Sequence, residues 1–245
     1  MSAHPSGSRS SISKVVEKQM RNWELARAQR VPAQPGTAPP PVAEFVSISR
    51  SVGSGGSEVA HRLGERLGWP VFDREILQAM AGDDQVRARL YEAMDEREQS
   101  WLESALRWII AGEFREDTYF YRLNETVLAL ARRGRAVFLG RASDLILPRD
   151  CGLRVRITAS LERRAATLAA RSGMSETLAR AEVEQTDADR AEFRRRHFGK
   201  NANDPTRFDL TVNMDRFTPP QAVEIILTAL AQRGLLPPAP AASAR

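Results

Sequence analysis

Residues 44–68 read EFVSISRSVGSGGSEVAHRLGERLG, and this stretch decides the fold. Phe45, Val46 and Ile48 lie in a short β-rich run, glycines and serines crowd positions 51–57, and Val59, Leu63 and Leu67 then recur at helical spacing. The order is strand, tight loop, helix. Glycines at such a junction let backbone N–H groups turn inward around an anion, and the helix N-terminus adds its partial positive charge. Against the phosphate-loop pattern G-x-x-x-x-G-K-[ST], Gly55 matches the second glycine and Ser57 the magnesium-binding hydroxyl, while Arg50 replaces the first glycine and Gly56 the lysine. Two other readings remain open at this point. One is a plain turn in which Ser57 caps the helix. The other is a dinucleotide loop beginning at Gly53 and Gly55, with Asp73 roughly 20 residues on. Glu58 stands at that loop's third glycine position, where a side chain hinders close helix–strand packing.

Outward from the loop, short apolar runs at 69–72, 136–139, 152–157 and 208–213 read as further strands. Helical segments separate them up to residue 133, at 161–171 and at 176–196, and a last one covers 220–232. Strands alternating with helices predict an α/β fold in three layers, with a mostly parallel sheet covered on both faces. Trp101, Ala105 and Trp108 follow helical spacing and read as core. Residues 11–30 can form a helix with Ile12, Val16, Trp23 and Arg27 near one face, but the flanks are polar. The run 31–43 is proline-rich and predicts an extended linker. The chain therefore divides into an arm and linker at 1–43, a folded body at 44–233 and a tail at 234–245.

The net charge is +5, yet residues 1–31 hold six basic against two acidic residues, so the body is nearly neutral. A basic balance confined to an arm argues against nucleic acid as the body's ligand. A single cysteine, Cys151, allows no internal disulfide and no zinc site of the usual spacing. No run of about 18 apolar residues occurs, and the first residues lack a secretory signal's apolar core. The expectation is a cytoplasmic protein with no membrane partner, its oligomeric state unread.

The stretch 47–77, SISRSVGSGGSEVAHRLGERLGWPVFDREIL, resembles the opening of the cytidylate kinase-like family, in which a Gly-Ser-Gly-Gly loop replaces the lysine-bearing one. Three further blocks agree in order: AVFLGRASDLIL at 136–147, LRVRITASLERRA at 153–165, and DADRAEFRRRHFG at 187–199 leading to FDLTVNM at 208–214. The resemblance covers about residues 45–230. It implies a P-loop kinase fold with a five-stranded parallel sheet, a helical monophosphate-binding insert at about 76–133 and an arginine-bearing lid at about 182–207. Where true cytidylate kinases carry Asp-Gly-Arg-Asp, this chain reads Leu139, Gly140, Arg141, Ala142, which keeps the arginine and loses both acids. Of the family's lid pattern only the half with Asp187 and Arg190 is kept.

Phosphoryl transfer needs little covalent help and much positive charge around the moving group. The residues expected to bind ATP are Gly53, Ser54, Gly55, Gly56 and Ser57, with Ser57 also toward Mg2+. Arg190, Arg194 and Arg50 are the catalytic candidates, because some cation must replace the lysine. Asp73, Arg74, Arg141 and Asp187 are the substrate candidates, Arg141 because it follows a buried strand at the sheet's carboxyl edge. His61 and His197 carry no partner signature. The function expected is an ATP-dependent phosphotransferase acting on a nucleoside monophosphate or a similar small phosphate acceptor. The alternative is a nucleotide-binding pseudokinase or sensor that does not turn over.

Overall fold

A computed structural model describes residues 7–28, 42–110 and 118–236. In chain order the elements are α1 (Gly7–Ala28), β1 (Phe45–Arg50), α2 (Gly56–Leu67), β2 (Val71–Phe72), α3 (Arg74–Gly82), α4 (Asp84–Glu92), α5 (Glu96–Ile110) and α6 (Thr118–Arg133). There follow β3 (Ala136–Leu139), α7 (Ser143–Ile146), β4 (Gly152–Thr158), α8 (Leu161–Ser172) and α9 (Glu176–Phe198). Two 3-10 turns, Lys200–Asn203 and Pro205–Arg207, then lead to β5 (Leu210–Asn213) and α10 (Pro219–Gln232). Residues 31–41 of the predicted linker, residues 111–117 and most of the C-terminal tail lie outside the described residues, as do the Arg27 and Trp108 side chains.

All five strands are parallel, in the order β2-β3-β1-β4-β5. β1 is central because it can be buried on both faces: Phe45, Val46, Ser47 and Ile48 are all buried. Successive residues of a strand face opposite sides, so the sheet separates two apolar cores. One contains Phe45, Phe72 and Phe138 together with residues of α3 to α6, with Phe72 stacked on Phe138 at 5.7 Å between centroids. The other contains Val46, Ile48, Val137, Val155 and Ile157, covered by α2 and α10. This is the three-layer arrangement expected, and its carboxyl edge carries the ends of β1, β3 and β4.

The arm's helix does more than adjoin this body. Val16, Met20 and Trp23 recur at i, i+4 and i+7 on α1, and all three are buried in the first core. Trp23 is 1% exposed, and its Nε1–H donates to the Leu130 carbonyl at 2.9 Å. α1 also contacts α3 of the insert.

Candidate functional site

β1 ends at Arg50, and residues 51–55 turn the chain into α2. Gly53 and Gly55 have φ of 75° and 79°, a left-handed conformation that glycine adopts at little cost. Gly53 also lies against α8, where a Cβ would run into the Arg164 backbone, with Cα only 2.9 Å away. The cap of α2 is Gly55 rather than Ser57, and no side chain caps the helix. Its first-turn N–H groups therefore lack intrahelical and side-chain acceptors, and the positive end of the helix dipole stays available to an anion. Ser57, exposed in the first turn, carries a hydroxyl at this end. The dinucleotide reading fails on topology. That fold places its second strand beside the first, whereas here β3 separates β1 from β2.

The two departures from the phosphate-loop pattern prove to be one steric fact. A Cβ on Gly56 would sit 2.6 Å from the Arg50 Cβ and 3.2 Å from the Ile157 Cβ. Arg50 thus occupies the space through which a side chain at position 56 would leave the backbone. Its own chain runs on to the end of β3, where Nη1 lies 3.4 Å from the Leu139 carbonyl oxygen. Burial and then the neighbouring Arg190 lower its pKa to about 10, with Asp73 opposing.

Beside the loop is a cleft of about 360 Å3, into which Arg50, Arg74, Arg141, Arg190 and Arg194 project along with two acids, Asp144 and Asp189. Arg141 and Ala142 have φ of 52° and 54°, a left-handed pair of non-glycine residues at the mouth of the cleft. Strain of this kind persists only where the surrounding structure enforces it. Arg141 donates to Gln78 Oε1 at 2.7 Å and lies over the Tyr119 ring at 5.8 Å, while its buried Nε has no partner. Burial is the largest cause of its lowered pKa. Asp73 accepts from the Glu75 and Ile76 N–H groups through Oδ1 and so caps α3, which brings Arg74 to the same edge.

Arg190 and Arg194, both on α9, differ. Arg190 donates to the Arg50 carbonyl oxygen at 2.8 Å, and burial is again the first cause of its lowered pKa. Arg194 is half of a buried bidentate pair with Asp144, at 2.7 Å for each nitrogen, and its Nη2 also donates to the Ala202 carbonyl at 2.6 Å. Asp187 pairs with Arg164 at 2.5 Å, which ties α9 to α8 beside the phosphate loop. The expected site residues therefore gather at one edge of the sheet, Asp187 and Arg194 as members of ion pairs.

Sequence reading missed four residues. Asp144 and Arg164 are the partners just named. Arg154, 1% exposed, donates to the carbonyls of Asp144, Leu147 and Arg149 and so holds the α7 turn. Arg156, on the same face of β4, lies over the Phe208 ring at 5.6 Å. The signal was present in LRVRI: a parallel interior strand is usually continuously apolar, and here arginine alternates with aliphatic residues.

Among the described residues no cluster of three or more His, Cys, Asp or Glu could hold a metal ion, and no helix is long and apolar enough to cross a membrane. A magnesium ion arriving with a nucleotide would have the Ser57 hydroxyl and the nucleotide's own phosphates for ligands.

Comparison with known proteins gives a consistent result. The model of the cytidylate kinase-like family matches residues 45–216. No curated protein sequence matches the chain. A crystal structure of an uncharacterized protein from Eubacterium ventriosum ATCC 27560 has a TM-score of 0.62 at 17% identity, covering 77% of this chain and 98% of that one. The two share the fold. Shikimate kinase from Bacteroides thetaiotaomicron reaches a TM-score of 0.44 at 12% identity, over 76% and 98% of the two chains. A gluconokinase from Sinorhizobium meliloti 1021 reaches 0.40 at 16%, over 78% and 93%. With the family model spanning most of the folded body and the glycine loop, arginine cleft and parallel sheet all present, the chain belongs to the cytidylate kinase-like family.

Proposed function

We propose that the protein is an ATP-dependent phosphotransferase whose acceptor is a nucleoside monophosphate or a similar small phosphate-bearing molecule. The observation that carries this reading is the meeting, at one sheet edge, of an uncapped glycine loop with a cleft lined by five arginines. An anion-rich pair of reactants suits that charge. A neutral acceptor would leave Arg74 and Arg141 with little to do.

Bound at Gly53–Ser57, ATP with magnesium supplies the phosphoryl group. The loop's N–H groups and the α2 N-terminus hold the phosphates without a reorganisation cost at the moment of transfer. Arg50 provides the cation that Gly56 cannot, from the track a lysine would otherwise follow. Arg141 and Arg74 bind the acceptor's phosphate, Arg141 through its otherwise unpartnered Nε–H. Arg190 reaches across from the lid and sits over Arg50, where it excludes water and adds positive charge. Asp187 and Arg194 act on this site through position: their ion pairs hold α9 over the sheet edge.

A coupled ADP-release assay across nucleoside monophosphates and small phosphorylated acceptors tests the proposal. Sustained turnover of one acceptor is expected. Tight ATP binding without turnover on any acceptor would favour the alternative, a nucleotide-binding pseudokinase, for which the missing lysine is the motivating observation.

A further inference from the structure

A second chamber, of about 290 Å3, lies on the β4 side of the cleft, beneath the C-terminal half of α9. Ser49, Arg50, Arg190 and Arg194 line both cavities, so the bond from Arg190 to the Arg50 carbonyl stands as a partition between them. Arg156, Asn203 and Phe208 belong to this chamber alone. Arg156 pairs in register with Ser49, so both side chains issue from neighbouring strands at the same level.

The charges here do not balance. Four guanidinium groups, those of Arg50, Arg156, Arg190 and Arg194, face a single carboxylate, Asp187. Asp187 is committed to Arg164, and Arg194 is neutralised by Asp144. Arg50, Arg156 and Arg190 thus form no ion pair among the described residues, although Asp73 still favours charged Arg50 and Asp187 charged Arg190. Arg156 also has no hydrogen-bond acceptor among them, and its one contact of note is the Phe208 ring. Arg194 lies over the same ring at 5.8 Å, which leaves Phe208 as a support for two cations more than as a surface for a base. Of these like charges, Arg190 acts on Arg50, and an anion seated beside them relieves that repulsion. Asn203 is already occupied, donating to the Ala191 carbonyl and accepting from Arg194. The donors left for a ligand are Arg156, Arg190 and the Ser49 hydroxyl, an arrangement that fits the several acceptor oxygens of a phosphate.

We infer that this chamber is a second phosphate-binding subsite, with Arg156 as its principal ligand-binding residue, distinct from the loop and from the Arg74–Arg141 side of the cleft. The phosphate has two possible sources: a second phosphate group carried by the acceptor, or a free phosphate ion. Its volume admits a phosphate together with part of a carrier. The inference concerns binding and holds whether or not the protein turns over.

The test is calorimetric titration of the full chain in phosphate-free buffer with three probes: inorganic phosphate, a nucleoside 5′-monophosphate and the matching nucleoside 3′,5′-bisphosphate. Arg156→Gln keeps the side chain's size and removes its charge. The parent is expected to bind at least one probe in an Arg156-dependent way, weakened at least about tenfold by Arg156→Gln and partly restored by Arg156→Lys. A gain of bisphosphate over monophosphate that vanishes in Arg156→Gln identifies the acceptor as the source. Arg156-dependent binding of inorganic phosphate without that gain identifies the free ion. In the absence of any anion, Arg156→Gln should melt close to the parent, because Arg156 holds no ion pair or hydrogen bond among the described residues. Titration with ATP and magnesium in parallel reports on the phosphate loop separately, so failure there does not count against this subsite. Binding of all three probes by Arg156→Gln as tightly as by the parent overturns the inference, as does a parent that is folded and binds none of them.

Discussion

The Cβ of Arg50 lies 2.6 Å from where the first side-chain atom of any residue other than glycine at position 56 would stand. The missing lysine of the phosphate loop therefore depends on the missing first glycine, and the lysine cannot be restored while Arg50 stays. Gly56→Lys in the parent is expected to cost on the order of 1–3 kcal/mol of stability through overpacking. Combined with Arg50→Gly it should cost much less. A double-mutant cycle on denaturant unfolding measures the coupling, and additive effects would contradict the steric account.

Protonation of Arg50 gives a pH signature. In the free protein burial and Arg190 depress its pKa to about 10, with Asp73, Arg74 and Arg141 as the other charges facing it. A bound anion favours the charged guanidinium and raises that pKa, so binding above pH 10 takes up a proton. ATP affinity should accordingly be flat below the free-protein pKa of about 10 and fall as the pH rises through it. Arg50→Gln should bind more weakly and lose most of this decline. An equally steep decline in the variant would assign the titration to another group.

The arm is expected to matter for folding. Truncation to residue 43 would be harmless if α1 were an appendage, but Trp23 is buried and hydrogen-bonded to Leu130. Trp23→Ala should destabilise the protein by roughly 3–5 kcal/mol. Chemical denaturation gives the value, and a change below about 1 kcal/mol would show that α1 does not dock in solution.

Asp144→Ala tests the division of labour between the lid arginines. It leaves Arg194 without its bidentate partner in a buried setting, a loss of about 3–5 kcal/mol when such a pair is broken from one side. Replacing Asp144 and Arg194 together by Asn and Met should recover much of that stability. Recovery of stability without recovery of turnover would give Arg194 a direct part in transfer.

The strand–loop–helix order, the parallel sheet and the gathering of Arg50, Arg141 and Arg190 at one edge were legible in the sequence, because apolar runs and glycine placement are local signals. The partners of those arginines were not. Asp144 meets Arg194 across 50 residues of chain and Arg164 meets Asp187 across 23, so which carboxylate neutralises which guanidinium depends on how α7, α8 and α9 pack. The Ser57 cap, one of the readings left open, fails for a related reason. Ser57 is a good cap by type, but the cap is Gly55, two residues earlier, and the helix starts at Gly56. Met20 completes the buried stripe of α1 and was passed over among polar neighbours.

The central claim is that Arg50 supplies, at the phosphate loop, the cation that the lysine position lacks. Calorimetric titration of ATP with magnesium into the parent and into Arg50→Ala tests it most directly. The account predicts saturable, magnesium-dependent binding by the parent and at least about tenfold weaker binding by a folded Arg50→Ala, a difference of roughly 1.4 kcal/mol. Equal affinity in the two proteins, or no nucleotide binding by a folded parent, would contradict it.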